Sequence, residues 1–162
     1  MNVRPDQLAS VVAKGIYPVY MVSGDEPLQQ MESLDLIRAH LRDNDFQERE
    51  ILDVDAQFDW QRLLDEAANM SLFATRRIVE LRLPSAKPGR QGSQVLKDYL
   101  SRPPEDTVLI INAGKVDSNS KKSAWFKAVE QNGMIVQCWP VTPDKLSPWL
   151  QQRFRRGDME AD

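Results

Sequence analysis

Val19-Tyr20-Met21-Val22-Ser23-Gly24-Asp25-Glu26-Pro27-Leu28-Gln29-Gln30 is the stretch that decides the fold of this 162-residue chain. Its first four residues form a compact apolar run, as expected of a strand covered on both faces. Ser23-Gly24-Asp25 ends the run. Asp25 is placed to cap a following helix, and Pro27 suits that helix's first turn. Met31, Leu34, Ile37 and Leu41 then recur at helical spacing and predict its inner face.

The same alternation extends outward from this unit. A short helix is expected before it, over residues 5–14, and a second strand after it at 51–54. A helix over residues 59–70 follows, then Arg77-Ile78-Val79-Glu80-Leu81-Arg82-Leu83, whose alternating charges predict a strand less buried than the others. Residues 84–92 are turn-rich and predict a mobile loop. A short helix over 94–100 leads to Thr107-Val108-Leu109-Ile110-Ile111, the most hydrophobic strand candidate, expected in mid-sheet. Residues 118–131 predict a helix with Ala124, Trp125, Ala128 and Val129 inward, stopped at Asn132-Gly133 by a left-handed glycine. Residues 134–138 form a fifth strand. Thr142-Pro143 and Ser147-Pro148 each pair a cap with a first helical position, opening a last helix that carries Trp149, Leu150 and Phe154 to Gly157. Strands alternating with helices imply a three-layer α/β/α fold with a mainly parallel sheet of about five strands.

Net charge of −3 gives no global attraction to nucleic acid or to an anionic membrane, so any DNA contact must be local. The single cysteine, Cys138, excludes an internal disulfide and fits a reducing compartment. No apolar run approaches the ~20 residues that span a bilayer, and no signal-peptide core follows Arg4. A cytoplasmic location without a membrane partner is expected.

Ligands of an open parallel sheet gather at the carboxyl ends of its strands, so the loop after the first strand is the place for phosphate chemistry. A phosphate-gripping loop needs inward glycine amides, a lysine for the β and γ phosphates and a hydroxyl for magnesium. Here the loop offers one glycine, Gly24, two repelling carboxylates, Asp25 and Glu26, and glutamines where lysine and hydroxyl belong. The architecture of a nucleotide-binding domain is expected without its chemistry, and no cofactor is expected. Gly114-Lys115 is a chance dipeptide, since Leu109 stands where the upstream glycine would be and a valine follows. The later strands end in Leu83-Pro84-Ser85 and Asn112-Ala113-Gly114, lacking the acidic residues that would hold magnesium.

Other catalytic groupings are also missing. His40, the sole histidine, sits between Arg38 and Arg42 in a helix tail and reads as a solvated surface residue. Metal clusters fail for want of ligands. Cys138 lies on an apolar strand with no histidine near in sequence to activate it. Asp53 with Asp55, or Glu48 with Glu50, at i, i+2 on short exposed segments, are expected to face solvent. No catalytic residue and no metal site are expected.

Two basic clusters remain. Lys121-Lys122 stands at the predicted start of a helix, where the dipole disfavours cations, whereas Arg153, Arg155 and Arg156 stand at a helix end that favours them. Neither is interleaved with the aromatic platforms of single-strand binders. For Lys121 and Lys122, a solvated role and a contact with DNA or a partner subunit are both open.

Met70-Ser71-Leu72-Phe73 stands where the 59–70 helix gives out. Trp60, Leu63, Leu64, Ala67 and Ala68 form one apolar stripe, and carrying the helix forward aims Phe73 about 140° from its centre, with Leu72 swung nearly as far the other way. Two readings are open. The helix ends early and both side chains turn under the next strand, or they stand out as anchors for a groove on another protein.

With Tyr20-Met21-Val22-Ser23-Gly24-Asp25-Glu26-Pro27-Leu28, Asp59-Trp60, Ala68-Asn69-Met70-Ser71-Leu72-Phe73-Ala74-Thr75-Arg76 and Ala124-Trp125-Phe126 in order, the chain resembles the delta subunits of bacterial DNA polymerase III clamp loaders, in their N-terminal domain. The resemblance implies an AAA+-like member of the P-loop NTPase architecture that has lost nucleotide binding. It implies a non-catalytic subunit that grips the beta sliding clamp, a ring, and forces one of its interfaces open. Met70, Leu72 and Phe73 then map onto the gripping element, with Leu72 and Phe73 plugging an apolar pocket of the clamp. Other loader subunits, gamma/tau and delta prime, would partner the full-length protein, ATP would be bound by partner subunits, and contact with DNA would be indirect or weak.

Residues 1–162 are accordingly expected to form one AAA+-like domain, with the family's helical lid and collar domains absent from this chain. The alternatives are an active nucleotide-binding AAA+ ATPase domain with an unusual loop, or a non-replicative adaptor in which Leu72 and Phe73 belong to the core.

Overall fold

The computed structural model describes residues 1–68 and 76–138. The chain opens with β1 (Asn2–Val3), a 3-10 turn over Pro5–Gln7 and α1 (Leu8–Val12). There follow β2 (Val19–Gly24), α2 (Pro27–Arg42), β3 (Phe46–Asp53), α3 (Gln61–Ala68) and β4 (Arg76–Leu83). Then come α4 (Gly89–Ser101), β5 (Thr107–Ala113), α5 (Ser118–Lys121), α6 (Ala124–Asn132) and β6 (Met134–Cys138). Six strands make one sheet in the order β1-β6-β2-β5-β4-β3, and every neighbouring pair is parallel. The strand beyond the expected five is β1, whose two residues are too short to carry a period.

Alternation along each strand builds a core on each face of the sheet. Val19, Met21, Val79, Leu81, Leu109 and Ile111 pack with Leu63 of α3, Leu96 of α4 and Val129 of α6. Tyr20, Val22, Ile78, Val108 and Ile110 pack with Leu8 of α1 and Ile37 of α2 on the other. Helices therefore cover both faces, which is why the central strands read as unbroken apolar runs. The expected three-layer α/β/α class is the observed one.

Several local expectations are corrected. Strand β4 lies between β3 and β5 and is buried along most of its length, not partly exposed. Its charges tolerate this because distant elements supply partners: Arg77 meets Glu66 and Glu48, Glu80 meets Arg38, and Arg82 meets Asp53. Met31 is 59% exposed, while Gln29 and Ser33 are buried in its place. Ser33 faces the end of β6 there, with its Oγ 4.0 Å from Cys138 Sγ. Residues 84–92 are not a loop throughout, since α4 begins at Gly89 and Ala86 is buried.

The helix expected over 118–131 is two helices, broken where Ser123 takes an extended backbone (φ −72°, ψ 155°). Restarting at Ala124 shifts the phase, so Trp125, Phe126 and Val129 are buried while Ala124 is exposed. Gly133 is extended (φ −161°), not left-handed. A side chain there would put Cβ 1.9 Å from the Val19 carbonyl oxygen, so glycine allows β6 to start hard against β2. The last predicted helix, with Trp149, Leu150, Phe154 and the arginines at 153, 155 and 156, lies outside the described residues.

Candidate functional site

At the carboxyl end of β2 the chain uses its own atoms where a phosphate loop would use a ligand's. Gly24 has φ +141° and sits opposite Cys138 in the sheet register. An added Cβ would fall 1.9 Å from the Cys138 carbonyl oxygen. Glycine is required here to close β2 against β6. The Asp25 amide donates to the same carbonyl oxygen at 3.2 Å.

Glu26, not Asp25, caps α2, because Pro27 occupies the first helical position and makes the preceding residue the cap. Glu26 Oε2 accepts from the Gln29 amide at 2.6 Å. A helix N-terminus attracts anions through such amides, and here a carboxylate is already seated on one. Gln30 reaches the other way, its Nε2 donating to the Ala113 carbonyl oxygen at 2.7 Å and to Asn112 Oδ1 at 3.1 Å. The side chain that stands in the lysine region thus ties α2 to the end of β5.

The remaining sequence candidates fall into structural roles. His40 is half-buried rather than solvated, with Nε2 3.0 Å from the Gly15 carbonyl oxygen, and it tethers α2 to the chain after α1. Cys138 is buried 4.0 Å from Ser33 Oγ, and burial pushes its thiol up to about 11. The carboxylates that could pose as acid/base pairs face separate arginines: Asp53 with Arg82 at 3.7 Å, Glu48 with Arg77 at 3.7 Å and Glu50 with Arg62 at 3.9 Å. Asp55 Oδ1 instead accepts from the Gln57 amide at 2.9 Å. Among the described residues, no group of three or more His, Cys, Asp or Glu could hold a metal. No described helix is long and apolar enough to cross a membrane.

Lys121 ends α5 and Lys122 follows it, so the pair lies at the carboxyl side of a four-residue helix instead of the start of a long one. Asp117 caps that helix, accepting from the Ser120 amide at 2.7 Å, and lies 3.7 Å from Lys87 Nζ.

Met70, Leu72 and Phe73 lie outside the described residues; their immediate flanks do not. α3 ends at Ala68 with Trp60 and Leu63 buried beneath it, and β4 begins at Arg76. Arg77 donates from Nη2 to Glu66 Oε2 and from Nη1 to the Glu66 carbonyl oxygen at 3.3 Å. Arg76 stacks 5.4 Å above the Phe46 ring centre and donates from Nη1 to the Asn44 carbonyl oxygen at 3.2 Å. Sequence reasoning missed these flanking groups, because an arginine's partner on another element leaves no local signature.

A family model described as DNA polymerase III, delta subunit, matches residues 20–139. Among curated proteins, DNA polymerase III subunit delta of Haemophilus influenzae is 28% identical over 164 residues, covering 99% of this chain and 47% of that protein. The Escherichia coli protein of the same name is 27% identical over 162 residues, covering 100% of this chain and 47% of its own length. The chain therefore spans about half the length of the curated relatives it matches. Among solved structures, the Bacillus subtilis DNA clamp loader delta protein superposes with a TM-score of 0.73 at 16% identity, over 94% of this chain and 48% of that one. That likeness is one of fold.

Proposed function

The chain belongs to the DNA polymerase III delta-subunit family, and we propose that it is the clamp-binding and clamp-opening part of a bacterial clamp loader. It acts in DNA replication by inserting Leu72 and Phe73, flanked by Met70, into an apolar pocket of the beta sliding clamp. The observation that carries this reading is that the family match, over residues 20–139, takes in residues 70–73, between α3 and β4.

Burying Leu72 and Phe73 in a partner contributes about 1.5–3 kcal/mol each in transfer terms, offset by the cost of association. Such a plug anchors but does not open. A ring opens only if the protein binds its open form more tightly than its closed form, because equal affinity shifts nothing. Surface near α3 supplies that preference.

The subunit is non-catalytic and needs no cofactor. Support comes from Gly24, Asp25 and Glu26, whose groups are engaged by β6 and by the start of α2, and from Gln30, which bonds β5. ATP is bound by partner subunits, gamma/tau and delta prime are its neighbours in the full-length protein, and Lys121 and Lys122 contact a partner subunit or DNA.

Binding to the beta sliding clamp, measured for the wild type and for Leu72→Ala and Phe73→Ala, tests the reading. Each variant is expected to lose affinity by at least ~1–2 kcal/mol while keeping its unfolding transition. A core role would reverse this, costing several kcal/mol of stability at a Leu or Phe site. Unchanged clamp affinity in both variants would refute the anchor.

A further inference from the structure

Residues 69–75 join α3, which ends at Ala68, to β4, which begins at Arg76, and both of these ends are held by arginines of β4. Arg77 is nearly buried, its side chain 10% exposed, yet it spends its fork on the last turn of α3. One arm meets the Glu66 carboxylate and the other the Glu66 backbone carbonyl oxygen. Its Nε lies 3.7 Å from Glu48 Oε2 on β3, and its own amide donates to the Asp106 carbonyl oxygen at 2.8 Å. A single side chain therefore joins the helix before residues 69–75 to the strand after them. Arg76, one residue closer, is fixed independently by the Phe46 ring and the Asn44 carbonyl oxygen.

A side chain that bonds both a carboxylate and a main-chain carbonyl of one residue fixes position as well as charge, which a planar guanidinium does and an ammonium does not. Holding both ends of a short segment removes conformations that binding would otherwise have to freeze out, and affinity gains by that saving. We propose that Arg77, acting through Glu66, is a positioning residue that presets the 69–75 segment for the beta sliding clamp. This rests on the clamp-binding reading above. Arg77 itself touches no clamp atom; it acts through the separation and direction of Ala68 and Arg76.

A double-mutant cycle on the full chain tests it, with the beta sliding clamp as probe. Glu66→Gln is expected to weaken clamp binding about five- to tenfold in a protein that still unfolds cooperatively. Arg77→Lys, which keeps the charge and loses the fork, is expected to do the same and serves if Glu66→Gln does not fold. The decisive comparison is in the Leu72→Ala background, where either change is expected to cost less than about twofold. A general structural defect would instead cost the same in both backgrounds, and that result overturns the proposal. So does full affinity in Glu66→Gln and Arg77→Lys while Leu72→Ala binds poorly, which sinks the brace and leaves the plug standing. Wild-type affinity in Leu72→Ala and Phe73→Ala sinks the plug, and the brace with it.

Discussion

Arg38 Nη2 lies 2.6 Å from Glu80 Oε1, and Arg38 Nε lies 2.8 Å from the same oxygen, so α2 is bonded to a carboxylate in mid-sheet that solvent does not reach. Among the described residues the second oxygen, Glu80 Oε2, makes no hydrogen bond and has only the Arg82 Nε at 3.5 Å as an ion partner. Removing Arg38 strands most of a buried charge. Arg38→Leu is expected to lower the unfolding free energy by about 3–5 kcal/mol. Adding Glu80→Leu removes the stranded charge and is expected to recover much of that loss, since Arg82 is 43% exposed and can turn to water. Urea unfolding midpoints of the two variants check the order.

Gly24 and Gly15 predict opposite responses to alanine. Gly24 combines φ +141° with a Cβ position 1.9 Å from a backbone oxygen, so Gly24→Ala is expected to cost at least ~2 kcal/mol. Gly15 has no atom within 4 Å of its Cβ position and no positive φ. There Gly15→Ala is expected to be neutral or to stabilise by about 0.4–1 kcal/mol, through the unfolded chain. Thermal unfolding distinguishes them.

Alkaline pH is expected to weaken the fold, with Cys138 as one cause. Burial raises its thiol from 9.0 to about 11, so between those values the unfolded chain has released a proton that the folded chain retains. Stability is therefore whole below pH 9.0 and falls as pH rises through the window. Burial also raises Tyr20 and Tyr99, which extends the fall in the same direction. Unfolding free energies measured across this range should decline less steeply for Cys138→Ala than for the wild type.

Removing the α2 cap separates stability from ligand binding. Glu26→Ala gives up the 2.6 Å bond to the Gln29 amide and is expected to cost about 1 kcal/mol. Calorimetric titration of the wild type with magnesium and ATP is expected to give no saturable heat. A saturable isotherm would restore the nucleotide-binding alternative.

The strands were legible because their residues are buried by period and not by partner. Val19 to Val22 and Thr107 to Ile111 needed only the apolar run. β4 was not, since Arg77, Glu80 and Arg82 look solvent-facing until Glu66, Arg38 and Asp53 are brought to them from other elements. The phosphate loop was legible as a lack of lysine and hydroxyl. What Gln30 does there was hidden, because its partners Asn112 and Ala113 lie on β5, more than eighty residues along. The split between α5 and α6 was hidden too: Ser123 carries no glycine or proline signal, and its extended backbone is a tertiary outcome. Of the proposed clamp-binding site, sequence supplied Met70, Leu72 and Phe73 as candidates, while the contacts of Arg76 and Arg77 at its flanks needed coordinates.

The middle strand β2 pairs with β5 on one side and β6 on the other. Both are translated long after it, so Val19 to Gly24 leaves the ribosome with neither neighbour yet made. The apolar run waits unpaired until residues 107–138 have emerged, a delay that parallel pairing across long chain separations imposes. Nascent chains stalled before Thr107 should therefore be sensitive to protease and dependent on chaperones, and those released beyond Cys138 should not.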